Sequence, residues 1–250
     1  MYLLPAIPNT PPELTPRLLM INFQPSLGHE QSGGMKTMSK EMNGRLTAGI
    51  LLFDNVDDLD FTGPLEVLNQ VRLNEERRFA ERTPVDILLV ARDHEPVKTF
   101  SGMLVAQDCS FGECPPLDVL VVPGGMGERL ENHNPVILEF IRRRAPEVKT
   151  LASVCTGAFL LAATGVLDGR SATTHAASID RMKDFFPKVK VEEGVRFVED
   201  GKFITSAGYS SGIDMALRLV AIHFGEDIAR ATARHLEYPY PEDNYRVVEG

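Results

Sequence analysis

The stretch Lys149-Thr-Leu-Ala-Ser-Val-Cys-Thr-Gly-Ala-Phe-Leu-Leu-Ala-Ala163 joins an apolar, β-like run to a helix-like run across Cys155-Thr-Gly157. A strand that turns so sharply into a helix presents the turn residue at the top of a sheet, as a nucleophile elbow does. Backbone N–H groups and the positive end of the helix dipole then face the side chain and favour a thiolate, or any anion formed beside it. Cys155 is therefore read as a nucleophile that the rest of the chain positions. The competing reading is a small hydrophobe buried at a strand end.

Outward from the elbow, the same strand, turn and helix texture recurs. Thr47–Phe53 reads as a buried first strand, and Thr62-Gly-Pro-Leu-Glu-Val-Leu68 opens a helix with Thr62 as its cap. Val85–Ala91 and Leu117–Val122 are further strands, the latter running into Pro123-Gly-Gly, and Pro135–Arg144 is an amphipathic helix. Ser171–Thr174 is a short strand leading to His175 and a helix through Phe186. Val195–Thr205 reads as a hairpin turning at Asp200-Gly201. Gly212–Phe224 is a helix with few charges, which predicts deep packing, and Gly225 separates it from a helix over Glu226–Leu236. Apolar runs alternating with helical patterns imply right-handed crossovers and a mainly parallel α/β sheet. Residues 46–238 form one such domain, 1–45 a proline-rich extension with little structure of its own, and 239–250 a C-terminal tail. Met35, Met38 and Met42 are alternative starts within the extension.

The 250 residues, 43% hydrophobic and 24% charged, suit a soluble domain with a substantial core. A formal net charge of −9 argues against nucleic acid as the partner, because binding to it rests on neutralising phosphates. Three cysteines without regular spacing make no disulfide framework. No run approaches the roughly 18 apolar residues of a membrane span. The N-terminus lacks the basic start of a secretory signal, so a cytoplasmic location is expected.

Asp60 follows the first strand and belongs at the same carboxyl edge of the sheet as Cys155, the edge where open parallel sheets place their sites. A carboxyl group packed against a thiolate is held protonated by desolvation and like charge and can donate that proton. Asp60 also reads as an ordinary solvated acid or helix-start residue, a role that suits Asp57 and Asp58 better. Gly124 and Gly125 end a strand at this edge, where bare backbone N–H groups can stabilise an anion. His175 is a base, an orienting group or a satisfied histidine at the sheet edge. Cys109 and Cys114 have no helix after them and no electropositive setting. No paired His, Cys or carboxylate spacing suggests a metal, and no Gly-x-Gly-x-x-Gly pattern suggests a nucleotide cofactor.

Five segments in order, Leu59-Asp-Phe-Thr-Gly-Pro64, Val122-Pro-Gly-Gly125, Ser153-Val-Cys-Thr-Gly157, Gly169-Arg-Ser-Ala-Thr-Thr-His175 and Gly212-Ile-Asp214, resemble the ThiJ/PfpI superfamily. More narrowly they are similar to its isonitrile hydratase branch, which carries Thr where many members have His after the nucleophile. The resemblance covers about Leu46 to Tyr238. It implies a flavodoxin-like three-layer α/β/α sandwich, a homodimer, and hydration of an organic isonitrile to an N-substituted formamide without a cofactor. It implies Cys155 as the attacking thiol, Asp60 as proton donor and relay, Thr156 as an orienting group, and Gly124 and Gly125 as N–H donors, with His175 and Tyr209 near the substrate. Tyr209 stands where the branch has isoleucine. The resemblance also admits a ligand-sensing domain like that of AraC-type regulators, although too few residues follow Tyr238 for their DNA-binding helices. A glyoxalase or deglycase acting on α-oxoaldehydes is a third reading, less suited to Thr156.

Overall fold

The computed structural model describes residues 45–248. The strands of its first half are β1 (Leu46–Leu51), β2 (Val85–Ala91), β3 (Val97–Lys98), β4 (Leu104–Val105), β5 (Cys109–Ser110) and β6 (Val119–Val122). Those of the second half are β7 (Thr150–Val154), β8 (Ser171–Ala172), β9 (Lys190–Val191), β10 (Phe197–Asp200), β11 (Phe203–Ser206) and β12 (Arg246–Val248). Between them lie α1 (Asp58–Asn69), α2 (Glu128–Glu131), α3 (Pro135–Arg144), α4 (Gly157–Ala163), α5 (Ile179–Phe185), α6 (Ser211–Phe224) and α7 (Glu226–His235).

Eight strands form one sheet in the order β12-β10-β11-β7-β6-β1-β2-β5, parallel throughout except at the β10–β11 hairpin. β1, β6 and β7 are buried at every residue, as central strands covered on both faces must be. α1 packs on α6 and α6 on α7, whereas α2 and α3 pack on α4. This is the mainly parallel α/β architecture expected from the sequence.

The order of the strands locates the site. From β1 the chain steps to β2 on one side, and from β6 it steps to β7 on the other, so winding reverses between β1 and β6. Right-handed crossovers then put the connecting helices on opposite faces and leave a crevice at the carboxyl ends of these strands. The segments leaving β1, β6, β7 and β11 meet there.

Three local expectations need correction. Thr62 is not a helix cap: α1 starts at Asp58 after Asp57 in extended conformation, and the Thr62 hydroxyl donates back to the Asp58 carbonyl at 2.7 Å. Pro64 lies inside the helix, which the sequence reading took for its start. The hairpin turns one residue later than predicted, at Gly201-Lys202, with Gly201 at φ 63°. The stretch after Tyr238 supplies β12, an edge strand parallel to β10. The proline-rich extension falls almost wholly outside the described residues.

Candidate active site

Cys155 sits at the end of β7 with φ 58°, a left-handed backbone that costs a non-glycine residue about 1–3 kcal/mol and persists only where its surroundings enforce it. Here they do. Its N–H donates to the carbonyls of Ser206 and Ala207, both at 3.1 Å, and its carbonyl accepts from the Thr174 hydroxyl at 2.8 Å. Cys155 as a whole is 3% exposed.

Asp60, in the first turn of α1, is completely buried beside it. One carboxyl oxygen accepts from the Gly124 N–H at 3.1 Å and the other from the Tyr209 N–H at 3.2 Å. The Cys155 thiol is a further hydrogen-bond partner. Burial first, then the charge of Asp57, pushes the Asp60 carboxyl up to about 7, against the pull of these hydrogen bonds.

The sulfur departs from the thiolate expected at the elbow. Burial above all, then Asp60 and Asp57, raises the Cys155 pKa well above its ordinary value, although the Thr156 N–H acts in the opposite direction. Two carboxylates and desolvation outweigh the start of a short helix. The pair therefore holds its last proton on sulfur, and a carboxylate adjoins a thiol.

The glycines also serve differently from the expectation. The Gly124 N–H is taken by Asp60, and the Gly125 N–H donates to the Thr156 hydroxyl at 3.0 Å. Both position the site's own side chains. A Cβ on Gly124 would lie 2.5 Å from the Thr156 nitrogen and 2.6 Å from its hydroxyl oxygen, so only glycine lets the two turns touch. Gly124→Ala is expected to cost about 1–3 kcal/mol, the usual penalty for overpacking, read as a lower midpoint in denaturant unfolding.

Tyr209, at φ 51° and 47% exposed, stands at the mouth with its ring edge-on to His175, the centroids 5.8 Å apart. His175 Nδ1 accepts from the Ala177 N–H at 3.2 Å, so the ring caps a turn. The loop that carries Tyr209 is tied down from behind. Arg196 pairs with buried Asp214, reaches Ser210 Oγ at 3.2 Å, and through its carbonyl holds the Ala207 N–H at 2.8 Å.

The sequence reading missed Asp57, which it placed as a solvated acid. Its carboxyl lies with those of Asp60 and the Cys155 thiol in a group whose ligand atoms are all within 4.8 Å of one another. That spacing would also suit a cation, which would compete with the shared proton. The signal was present in the chain: Asp57 and Asp60 are three residues apart at a helix start and so share a face. Cys114 differs too, since the Arg144 guanidinium donates to its carbonyl, and its thiol is pulled down first by Cys109 and then by Arg144. Both of these thiols are buried away from the elbow, Cys109 in β5 and Cys114 shortly after it.

Known proteins share the sequence and fold of this chain. Isonitrile hydratase of Pseudomonas putida is 37% identical over 193 residues, 77% of this chain and 78% of that enzyme. The transcriptional regulator CdhR of Pseudomonas aeruginosa is 33% identical over 166 residues, 65% of this chain but 49% of the regulator, so the chain matches about half of that protein. A ThiJ/PfpI protein from Pseudomonas syringae superimposes with a TM-score of 0.68 at 29% identity, covering 84% of this chain and 85% of that one. DJ-1beta of Drosophila melanogaster shares the fold at a TM-score of 0.67. The DJ-1/PfpI family profile matches residues 47–222, which takes in the elbow, the Asp60 turn and the glycine pair, and the chain belongs to that family.

Proposed function

We propose that this protein is a cysteine-dependent isonitrile hydratase that converts R–N≡C and water to R–NH–CHO. The observation that carries the reading is the buried Asp60 carboxyl against the Cys155 thiol, a base and a nucleophile sharing one proton. An isonitrile needs both at one carbon: sulfur attacks it, and the same carbon must then receive a proton. Asp60 takes the thiol proton as the C–S bond forms and returns it to that carbon, giving the thioimidate R–N=CH–S–Cys155. Water then adds to this carbon with Asp60 as base, the nitrogen is protonated, and the C–S bond breaks to release formamide and thiol. Thr156, its hydroxyl held by Gly125, orients the substrate nitrogen. The identity with the Pseudomonas putida enzyme over most of its length supports the same reading.

Incubation with a panel of alkyl and aryl isonitriles, followed by formamide detection, tests it, and absence of formamide with every member overturns it. The competent state has lost one proton from the Asp60–Cys155 pair, so kcat/KM is expected to rise with pH through about 7 and then level. A rate indifferent to pH between 5 and 9 contradicts the shared-proton step.

A ligand-sensing role is the second reading, favoured by the match to half of a transcriptional regulator. A thermal shift with isonitriles or their formamides, without turnover, would select it.

A further inference from the structure

We propose that Asp57, framed by Tyr209 and His175, makes the mouth of the Cys155 site select electrophiles with a positively charged substituent over those with a negative one. For the identity of the reacting group this rests on the hydratase reading; the charge preference follows from the mouth itself.

Asp57 contributes a carboxyl oxygen within 4.8 Å of both Asp60 and the Cys155 sulfur, yet unlike Asp60 it is only partly buried. It is therefore the acid that an entering substituent meets. Its N–H donates to the Gly124 carbonyl at 3.0 Å, which fixes the backbone under it. Asp58, next in the chain, is engaged by Ser101 at 3.0 Å. Burial above all, with the charge of Asp58, raises the Asp57 carboxyl above its ordinary value, while the Tyr209 hydroxyl and then His175 act in the opposite direction.

Around this carboxylate stand two rings, Tyr209 and His175, set edge to face at 88°. His175 Nδ1 accepts from the Ala177 N–H, which fixes that ring over its turn. Among the described residues, no lysine or arginine figures among the principal charges acting on Asp57, Asp60 or Cys155. A carboxylate beside aromatic rings attracts a cation, and the same carboxylate repels an anion held a few ångströms away in a partly dry pocket.

The test compares matched alkyl isonitriles that end in trimethylammonium or carboxylate, reading the ratio of their kcat/KM values. In parallel, the rates at which trimethylammonium-ethyl and sulfonato-ethyl methanethiosulfonates modify Cys155 are measured by peptide mapping. In the unmodified protein both cation-to-anion ratios are expected to exceed about 10, and Asp57→Asn to lower each at least fivefold, whatever its absolute rates. Asp58→Asn, of equal charge change, is expected to leave them within about twofold, because its carboxyl is turned to Ser101. Ratios near one, or ratios unaltered by Asp57→Asn, overturn the proposal. Charge-selective modification without turnover of any isonitrile sustains the selection and overturns the hydratase reading. No modification of Cys155 and no turnover overturns both.

Discussion

Cys155→Ala is expected to abolish formamide formation, by on the order of 10⁴-fold or more, because no other group at the mouth can form the bond to carbon. Asp57 and Asp60 are carboxyls, Cys109 and Cys114 lie away from the crevice, and the Thr156 hydroxyl is engaged by Gly125. The fold is expected to survive. Alanine keeps the Cβ and inherits the same enforced left-handed backbone, so the cost is the lost burial of one sulfur atom, about 1 kcal/mol. Intact-mass spectrometry of acid-quenched reactions gives the direct reading. The unmodified protein should show an adduct equal to the mass of the whole isonitrile, since thiol and isonitrile combine without a leaving group. The variant should show none. An adduct or turnover retained in Cys155→Ala would place the chemistry elsewhere.

Asp60→Asn should separate activity from stability. An amide can neither take the thiol proton nor return it, so the rate is expected to fall about 10²–10⁴-fold and to lose its rise through pH 7. The unfolded carboxyl ionises near 3.8 and the folded one at about 7. An acid raised in this way stabilises the fold while protonated: the contribution is full below about pH 4 and is lost as pH rises to about 7. The change amounts to about 4 kcal/mol as an upper bound, roughly 1.4 kcal/mol for each pH unit. Asparagine removes that slope. Its amide must also present NH₂ to one of two N–H donors, those of Gly124 and Tyr209, and this cancels part of the gain at neutral pH. Unfolding free energies measured from pH 4 to 8 should show the difference between the two proteins moving in favour of the variant up to about pH 7 and then levelling. Parallel curves would refute the buried-proton account.

Much of the architecture was legible because its signals are local. The strands at 85–91 and 150–154 and the helix at 135–144 follow from apolar runs and helical spacing within each segment. The caps were harder. Thr62 carried a cap signature, but the helix had already begun at Asp58 after the extended Asp57, and a proline within it was accommodated. The tail after Tyr238 carried no strand signal because β12 has no reason to be a strand except the free edge of β10.

At the site, the amino-acid sequence by itself pointed to Cys155 on its strand-to-helix turn, the glycine pair and the acid at Asp60, because each is written in a short turn next to a strand end. The tertiary structure decided what those groups are chemically. Burial and the approach of two carboxylates put the proton on Cys155, reversing the thiolate expected from the elbow alone. Packing of the β6 turn against α1 and the elbow gave the Gly124 and Gly125 N–H groups to Asp60 and Thr156. It also brought Asp57 from the β1 segment and Tyr209 from the β11 segment to one mouth. Desolvation and charge act through space, and distances across the crevice exist only once the sheet has assembled.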